Sequence, residues 1–176
     1  MPALHVCSLE RVPSIASTTA PSHVLSLLSG ISPFPATPPG VHADDHLKIT
    51  VGDITAPVDG HILPTEDHVA EVLAFGERWD RESERSRPML IHCYAGISRS
   101  TASAFIIACA LDPQRDEVEL AAEIRRFSPP ATPNALFVRH ADALLGRKGR
   151  MVAAVERIGR GRDAFTGVPF QLALGR

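Results

Sequence analysis

Cys93 and Arg99 stand six positions apart in the run HCYAGISRS, His92 to Ser100, and the residue types in that run suit the chemistry of a phosphate monoester. Such an ester needs a nucleophile that reaches phosphorus and a cradle that neutralises the non-bridging oxygens in the transition state. A thiolate at Cys93 supplies the first. Tyr94, Ala95, Gly96, Ile97 and Ser98 supply the second, because successive N–H groups of a turn at a helix N-terminus converge on an anion. Gly96 gives the turn a backbone conformation that other residues resist. Arg99 returns across the loop to hold two phosphate oxygens with its planar fork, which lysine does not possess. Amide dipoles, Arg99 and the helix end all favour the thiolate form of Cys93. Ser100 is placed to donate a hydrogen bond to that sulfur, helping it leave when a phosphocysteine is hydrolysed. His92 orients the loop through hydrogen bonds and is not the base.

These residues need a buried strand and a buried helix on either side. PMLIH at 88–92 is a continuous apolar strand, and RSTASAFIIACAL, which follows the loop, is small and apolar on nearly every face. Upstream, HVCSL at 5–9 and HVLSLLS at 23–29 read as buried strands joined through one or two helical turns, a βαβ opening. The Pro-rich stretch SPFPATPPG at 32–40 must be irregular. LKITVGD at 47–53 alternates as a strand, with Leu47, Ile49 and Val51 on one face and Asp53 at its end. Pro64 suits the first turn of a roughly four-turn amphipathic helix carrying Val69, Val72, Leu73, Gly76 and Trp79, which the polar run DRESERSR ends. Further helices are predicted at 114–127, 134–145 and 149–159, and GVPFQLAL near the C-terminus reads as a docking tail.

Composition narrows the alternatives. The 176 residues, 44% of them apolar, suit one domain spanning 1–176. Eighteen Lys and Arg against 20 Asp and Glu, with no basic tail, give no reason to expect a nucleic-acid or membrane-surface partner. No apolar run is long enough to span a bilayer, and MPALHVCSL lacks the charged and apolar regions of an export signal. Cysteines at 7, 93 and 109 match neither a disulfide framework nor zinc knuckles, so a reducing cytoplasm is expected. The pairs His42/His46 and His61/His68 invite a metal, but the first lies beside Pro38, Pro39 and Gly40 and not on a periodic helix, so no metal is assigned.

The signature His-Cys, five residues, Arg, Ser resembles that of the protein tyrosine phosphatase superfamily, and most closely its small dual-specificity branch. The resemblance extends to the opening strands, the aspartate-bearing loop after LKITVGD and TPNA at 132–135. It implies an α/β fold with a central, mostly parallel sheet of four to five strands flanked by helices, and a phosphatase that needs no cofactor. It also implies that Asn134 lies near the loop and that an upstream aspartate protonates the leaving group. Asp53 has the strand-end position of that acid. Asp59, 34 residues before Cys93, has the family's spacing, whereas Asp67 reads as a first-turn helix residue.

The five loop residues between Cys93 and Arg99 include no lysine, so the expected substrate is a monophosphate on tyrosine, serine or threonine and not a multiply phosphorylated group. If no aspartate reaches the site, the alternative is a phosphate-binding pseudophosphatase or scaffolding module.

Overall fold

The computed structural model describes residues 3–83 and 86–175. Three strands, β1 (Ala3–Ser8), β2 (His23–Leu28) and β4 (Met89–Cys93), are buried on both faces, which is why their sequences are mainly apolar with no regular polar alternation. With β3 (His46–Thr50) and β5 (Phe170–Ala173) they form one sheet in the order β3-β2-β4-β1-β5. The first four are parallel, and β5 pairs antiparallel with β1 at the edge.

The two faces of the sheet are covered unequally. On one, α1 (Val12–Thr19) places Val12 and Ala16 against Cys7, Val24 and Leu90. On the other, Leu4, Val6, Leu25, Leu27, Met89 and Ile91 enter the main core with α2 (Glu66–Ser83), α3 (Arg99–Leu111), α4 (Glu117–Phe127), α5 (Ala135–Leu144) and α6 (Arg150–Ile158). The alternation of strand side chains thus sends His92 to the α1 face and Cys93 to the main core. Helix α3 is buried from Arg99 through Cys109, as its small, apolar sequence requires.

Several sequence expectations shift by a few residues. The third strand ends at Thr50, so Asp53 lies three residues beyond it, in a bend and not at a strand end. Pro64 is not in the first turn of α2: Thr65 caps the helix, accepting from His68 N–H at 3.4 Å, and Glu66 begins it. That helix has 18 residues and absorbs Asp80 to Ser83 of the polar run, while Glu84 and Arg85 lie outside the described residues. The helix predicted from 114 starts at Glu117, because the Asp116 side chain accepts from Val118 and Glu119 N–H at 2.9 Å each and fixes the start there.

The larger correction concerns the C-terminus. Within GVPFQLAL, Phe170–Ala173 form a strand of the sheet and not a docking tail: Phe170 and Leu172 turn into the core and Gln171 faces out. Four residues with a single Gln between apolar neighbours carry too little period to be distinguished from a tail. Leu172→Ala should therefore cost about 2–5 kcal/mol, whereas Gln171→Ala should stay within about 0.5 kcal/mol; urea unfolding of the two variants measures both.

Candidate active site

Cys93 closes β4 at the C-terminal edge of the sheet, the edge at which ligands meet open α/β sheets, and Arg99 opens α3. The carbonyls of the intervening loop are taken from outside. Tyr94 O accepts from Leu9 N–H at 3.1 Å, Ala95 O from Gly167 N–H at 2.8 Å and Ile97 O from Thr132 N–H at 2.9 Å. Ser98 O accepts from Ala102 N–H at 2.9 Å and Asn134 N–H at 3.3 Å. A trans peptide holds its N–H opposite its C=O, so each carbonyl tied outward turns the following N–H inward. Gly96 N–H shows the result directly, pointing to Cys93 Sγ at 3.3 Å.

Gly96 has φ +71°, and a Cβ there would lie 2.7 Å from the backbone of Cys7 and Ser8. Both the left-handed conformation and the close approach to β1 exclude a side chain. Gly167 packs equally tightly on the carbonyl of Gly96.

The sulfur of Cys93 also lies 3.2 Å from Ser100 Oγ. Arg99 is 5% exposed, and its guanidinium donates to Val51 O at 2.8 Å. Among the described residues no carboxylate pairs with it, and its Nε has no hydrogen-bond partner. A buried cation without a counter-ion, beside a ring of inward N–H groups, is built for an anion. Burial pushes the Cys7 and Cys109 thiols up to about 12, so they are inert packing residues at neutral pH. Tyr94 is 62% exposed and stands on the rim of the cradle.

Asp53 is brought to this loop. Its Oδ1 accepts from Ser98 Oγ at 2.6 Å and from Asn134 Nδ2 at 3.0 Å. Asn134 also donates to Ile54 O at 3.3 Å, while its Oδ1 accepts from Leu136 and Phe137 N–H as the N-cap of α5. One side chain thus starts a helix and fixes the aspartate loop. Asp59 lies in the turn that His61 N–H closes on Val58 O at 3.1 Å, and among the described residues it makes no hydrogen bond to the loop. Asp67 sits in the first turn of α2.

No family model matches the sequence, and no curated protein matches it. Solved structures do. That of DUSP15 superposes with a TM-score of 0.62 at 20% identity, over 94% of this chain and 96% of that one. Human DUSP28 gives 0.57 at 20%, over 84% and 96%. A human tyrosine phosphatase-like serine/threonine/tyrosine-interacting protein gives 0.61 at 17%, over 84% and 94%. The chain has the dual-specificity phosphatase fold.

Within that fold, His92 is the end of a buried chain of hydrogen bonds that the sequence did not reveal. His92 Nδ1 lies 3.4 Å from Cys93 O, and its Nε2 lies 2.5 Å from Ser26 Oγ. Ser26 Oγ in turn lies 2.8 Å from His46 Nε2, and His46 Nδ1 lies 2.9 Å from Thr37 Oγ1. A carbonyl only accepts, so His92 Nδ1 carries the proton and its Nε2 accepts from the Ser26 hydroxyl. Ser26 must then accept from His46 Nε2–H, and Thr37 must donate to His46 Nδ1. Every proton in the chain is assigned with both imidazoles neutral. Ser26 pairs with His92 across β2 and β4, on the α1 face of the sheet; such a contact depends on strand register and leaves no local sequence signal. Val51 O, the anchor of Arg99, and Ser98 Oγ, the anchor of Asp53, escaped the sequence reading for the same reason.

Burial, reinforced by Lys48, holds His46 down to about 4. His92 is also held down to about 4, chiefly by burial, with His46 and Arg99 adding to the shift and its bond to Cys93 O opposing it. The unfolded chain binds these two protons below about pH 6.5, while the folded protein refuses them until near pH 4. Stability should be insensitive to this pair above about pH 6.5 and fall as pH drops from there towards 4. Urea unfolding across that range should show the loss, with a shallower slope in His46→Gln; an unchanged slope would contradict the neutral assignment.

Proposed function

We propose that this chain is a cysteine-dependent phosphatase that hydrolyses phosphate monoesters through a phosphocysteine, with residues 1–176 acting as one domain. The observation that carries the reading is the placement of Cys93 Sγ, within reach of Gly96 N–H and Ser100 Oγ, in a loop that ends at a buried guanidinium with no carboxylate partner among the described residues. The neighbours in fold, named as phosphatases or phosphatase-like, point the same way.

In this mechanism the phosphate enters the cradle and its oxygens take the inward N–H groups and the free Nε of Arg99. The Cys93 thiolate attacks phosphorus as the ester oxygen departs, and Asp53 in its acid form gives that oxygen a proton. Water then attacks the phosphocysteine, with Asp53 now accepting the water's proton, and the hydroxyl of Ser100 stabilises the sulfur as it leaves as thiolate. No step requires a metal or an organic cofactor. Tyr94, Ala95, Gly96, Ile97 and Ser98 add no positive charge to the cradle, so the substrate is a single phosphate on tyrosine, serine or threonine, or a small monoester of similar charge. The three unpaired thiols suit a reducing compartment such as the cytoplasm. No described helix is long and apolar enough to cross a membrane.

Hydrolysis of an aryl phosphate with chelator present is the first test. Cys93→Ser should lower turnover at least about 10³-fold while vanadate binding largely survives, since the amide ring remains. Arg99→Lys should behave nearly as Arg99→Ala, because a point charge does not match two oxygens in a plane. Vanadate binding with no turnover in the unaltered protein would favour the phosphate-binding module instead.

Proton donation by Asp53 is tested by leaving-group dependence, since a general acid matters most when the departing oxygen is basic. Asp53→Asn should depress hydrolysis of an unsubstituted phenyl phosphate far more than that of a strongly activated aryl phosphate, and Asp59→Asn should do neither. The reverse pattern would move the role to Asp59.

A further inference from the structure

The opposite end of the sheet holds a second cluster of chemistry-bearing side chains. His23 opens β2, Asp45 ends the short 3-10 turn Ala43–Asp45 that leads into β3, and Glu82 lies in the last turn of α2. Since β2, β3 and β4 are parallel, this is the edge away from Cys93.

We propose that His23, Asp45 and Glu82 form a structural site for a divalent cation of the zinc type, completed by water, which ties β2, the approach to β3 and the end of α2 together.

The His23 side chain is 4% exposed, yet among the described residues its Nε2 has no hydrogen-bond partner. A buried ring nitrogen left in that state is costly. It points between two carboxylates, 3.5 Å from Asp45 Oδ1 and 4.0 Å from Glu82 Oε2, and the three ligand atoms lie within 4.8 Å of one another. Four ligands at the usual zinc distances from nitrogen and oxygen stand about 3.3 Å apart, so the His23–Asp45 edge is close to that already. Glu82 is half exposed at a helix end and has the freedom to close the remainder.

The other ring nitrogen is already committed. His23 Nδ1 lies 3.0 Å from Ser22 Oγ, and a proton on Nδ1 donated to that hydroxyl leaves the Nε2 lone pair free for a metal, the arrangement that orients imidazole ligands generally. The competitor is Arg78, whose guanidinium stands 3.4 Å from Asp45 Oδ1 and 4.0 Å from Glu82 Oε2. Both contacts are long. Its short bond is the 2.6 Å donation to Asp44 O, and it lies over the Phe75 ring at 5.2 Å, so it keeps its place when the carboxylates turn to a metal. The histidine pairs noticed in the sequence do not compete: His46 belongs to the Ser26 chain, His42 caps the 3-10 turn and His68 is bonded to Thr65.

The test is calorimetric titration of zinc chloride, in phosphate-free buffer, into the full chain carrying Cys93→Ser, which removes the sulfur of the phosphate-loop candidate as a competing ligand. One equivalent should bind, raising the melting temperature, and X-ray absorption should show nitrogen and oxygen neighbours at about 2.0–2.1 Å with no sulfur. His23→Gln and Glu82→Gln should each weaken binding at least about 10-fold, and Arg78→Met should tighten it by removing the competing cation. Glu82 is peripheral enough to carry the test if the buried His23 variant fails to fold. No saturable binding below millimolar zinc, sulfur in the coordination shell, an affinity unchanged by Glu82→Gln or weaker binding in Arg78→Met would each overturn the site. Phosphatase activity in the Cys93-containing protein should be unaffected by Glu82→Gln, so this proposal and the catalytic one fail separately.

Discussion

A guanidinium buried at the start of α3, with no carboxylate paired to it among the described residues, is the constraint on which the candidate active site turns. Desolvating such a charge costs several kcal/mol unless something compensates. One carbonyl, Val51 O, offsets part of that cost and holds the side chain in one pose. A phosphate in the proposed cradle would supply the rest. That same carbonyl belongs to the segment leaving β3, two residues before Asp53, so the residue that aims the arginine also begins the loop that carries Asp53. The guanidinium proposed to hold the non-bridging oxygens and the aspartate proposed to protonate the leaving oxygen are therefore positioned by one short piece of chain.

The amide ring is equally non-local. Its carbonyls are turned outward by Leu9 after β1, by Thr132 and Asn134 before α5 and by Gly167 before β5. The edge strand therefore does more than close the sheet: pairing β5 to β1 delivers Gly167 to Ala95 O, and Gly96 and Gly167 lack side chains because the backbones they touch leave no room. Electrostatic preorganisation of this kind is stored in packing distributed over the whole chain, and a cradle seven residues long inherits its rigidity from elements 35 to 85 residues away.

What the sequence disclosed divides along the same line. Cys93, Arg99 and Ser100 were legible because their spacing is local and the strand and helix around them have strong, opposite periodicities. The sheet of mostly parallel strands followed from the apolar runs that helices must cover on both faces. Asp53 was harder. It meets the loop through Ser98 and Asn134, a contact across 45 and 81 residues, and neither its true distance from the strand end nor its competitor Asp59 differs in a way that composition records. Ser26, His46 and Thr37 were silent altogether, since each is an ordinary residue for its element and only strand register aligns them.

Register also explains how one loop is held from two sides. Adjacent strand residues point to opposite faces, so His92 enters the α1 face while Cys93 enters the main core. The Ser26 chain fixes the carbonyl of Cys93 from the first side, and α3, through Ser100, meets its sulfur from the second. A loop secured on one face could pivot about β4. Secured on both, it keeps the sulfur, Gly96 N–H and Arg99 in one relation, and the neutral imidazoles do this without adding a second positive charge beside Arg99.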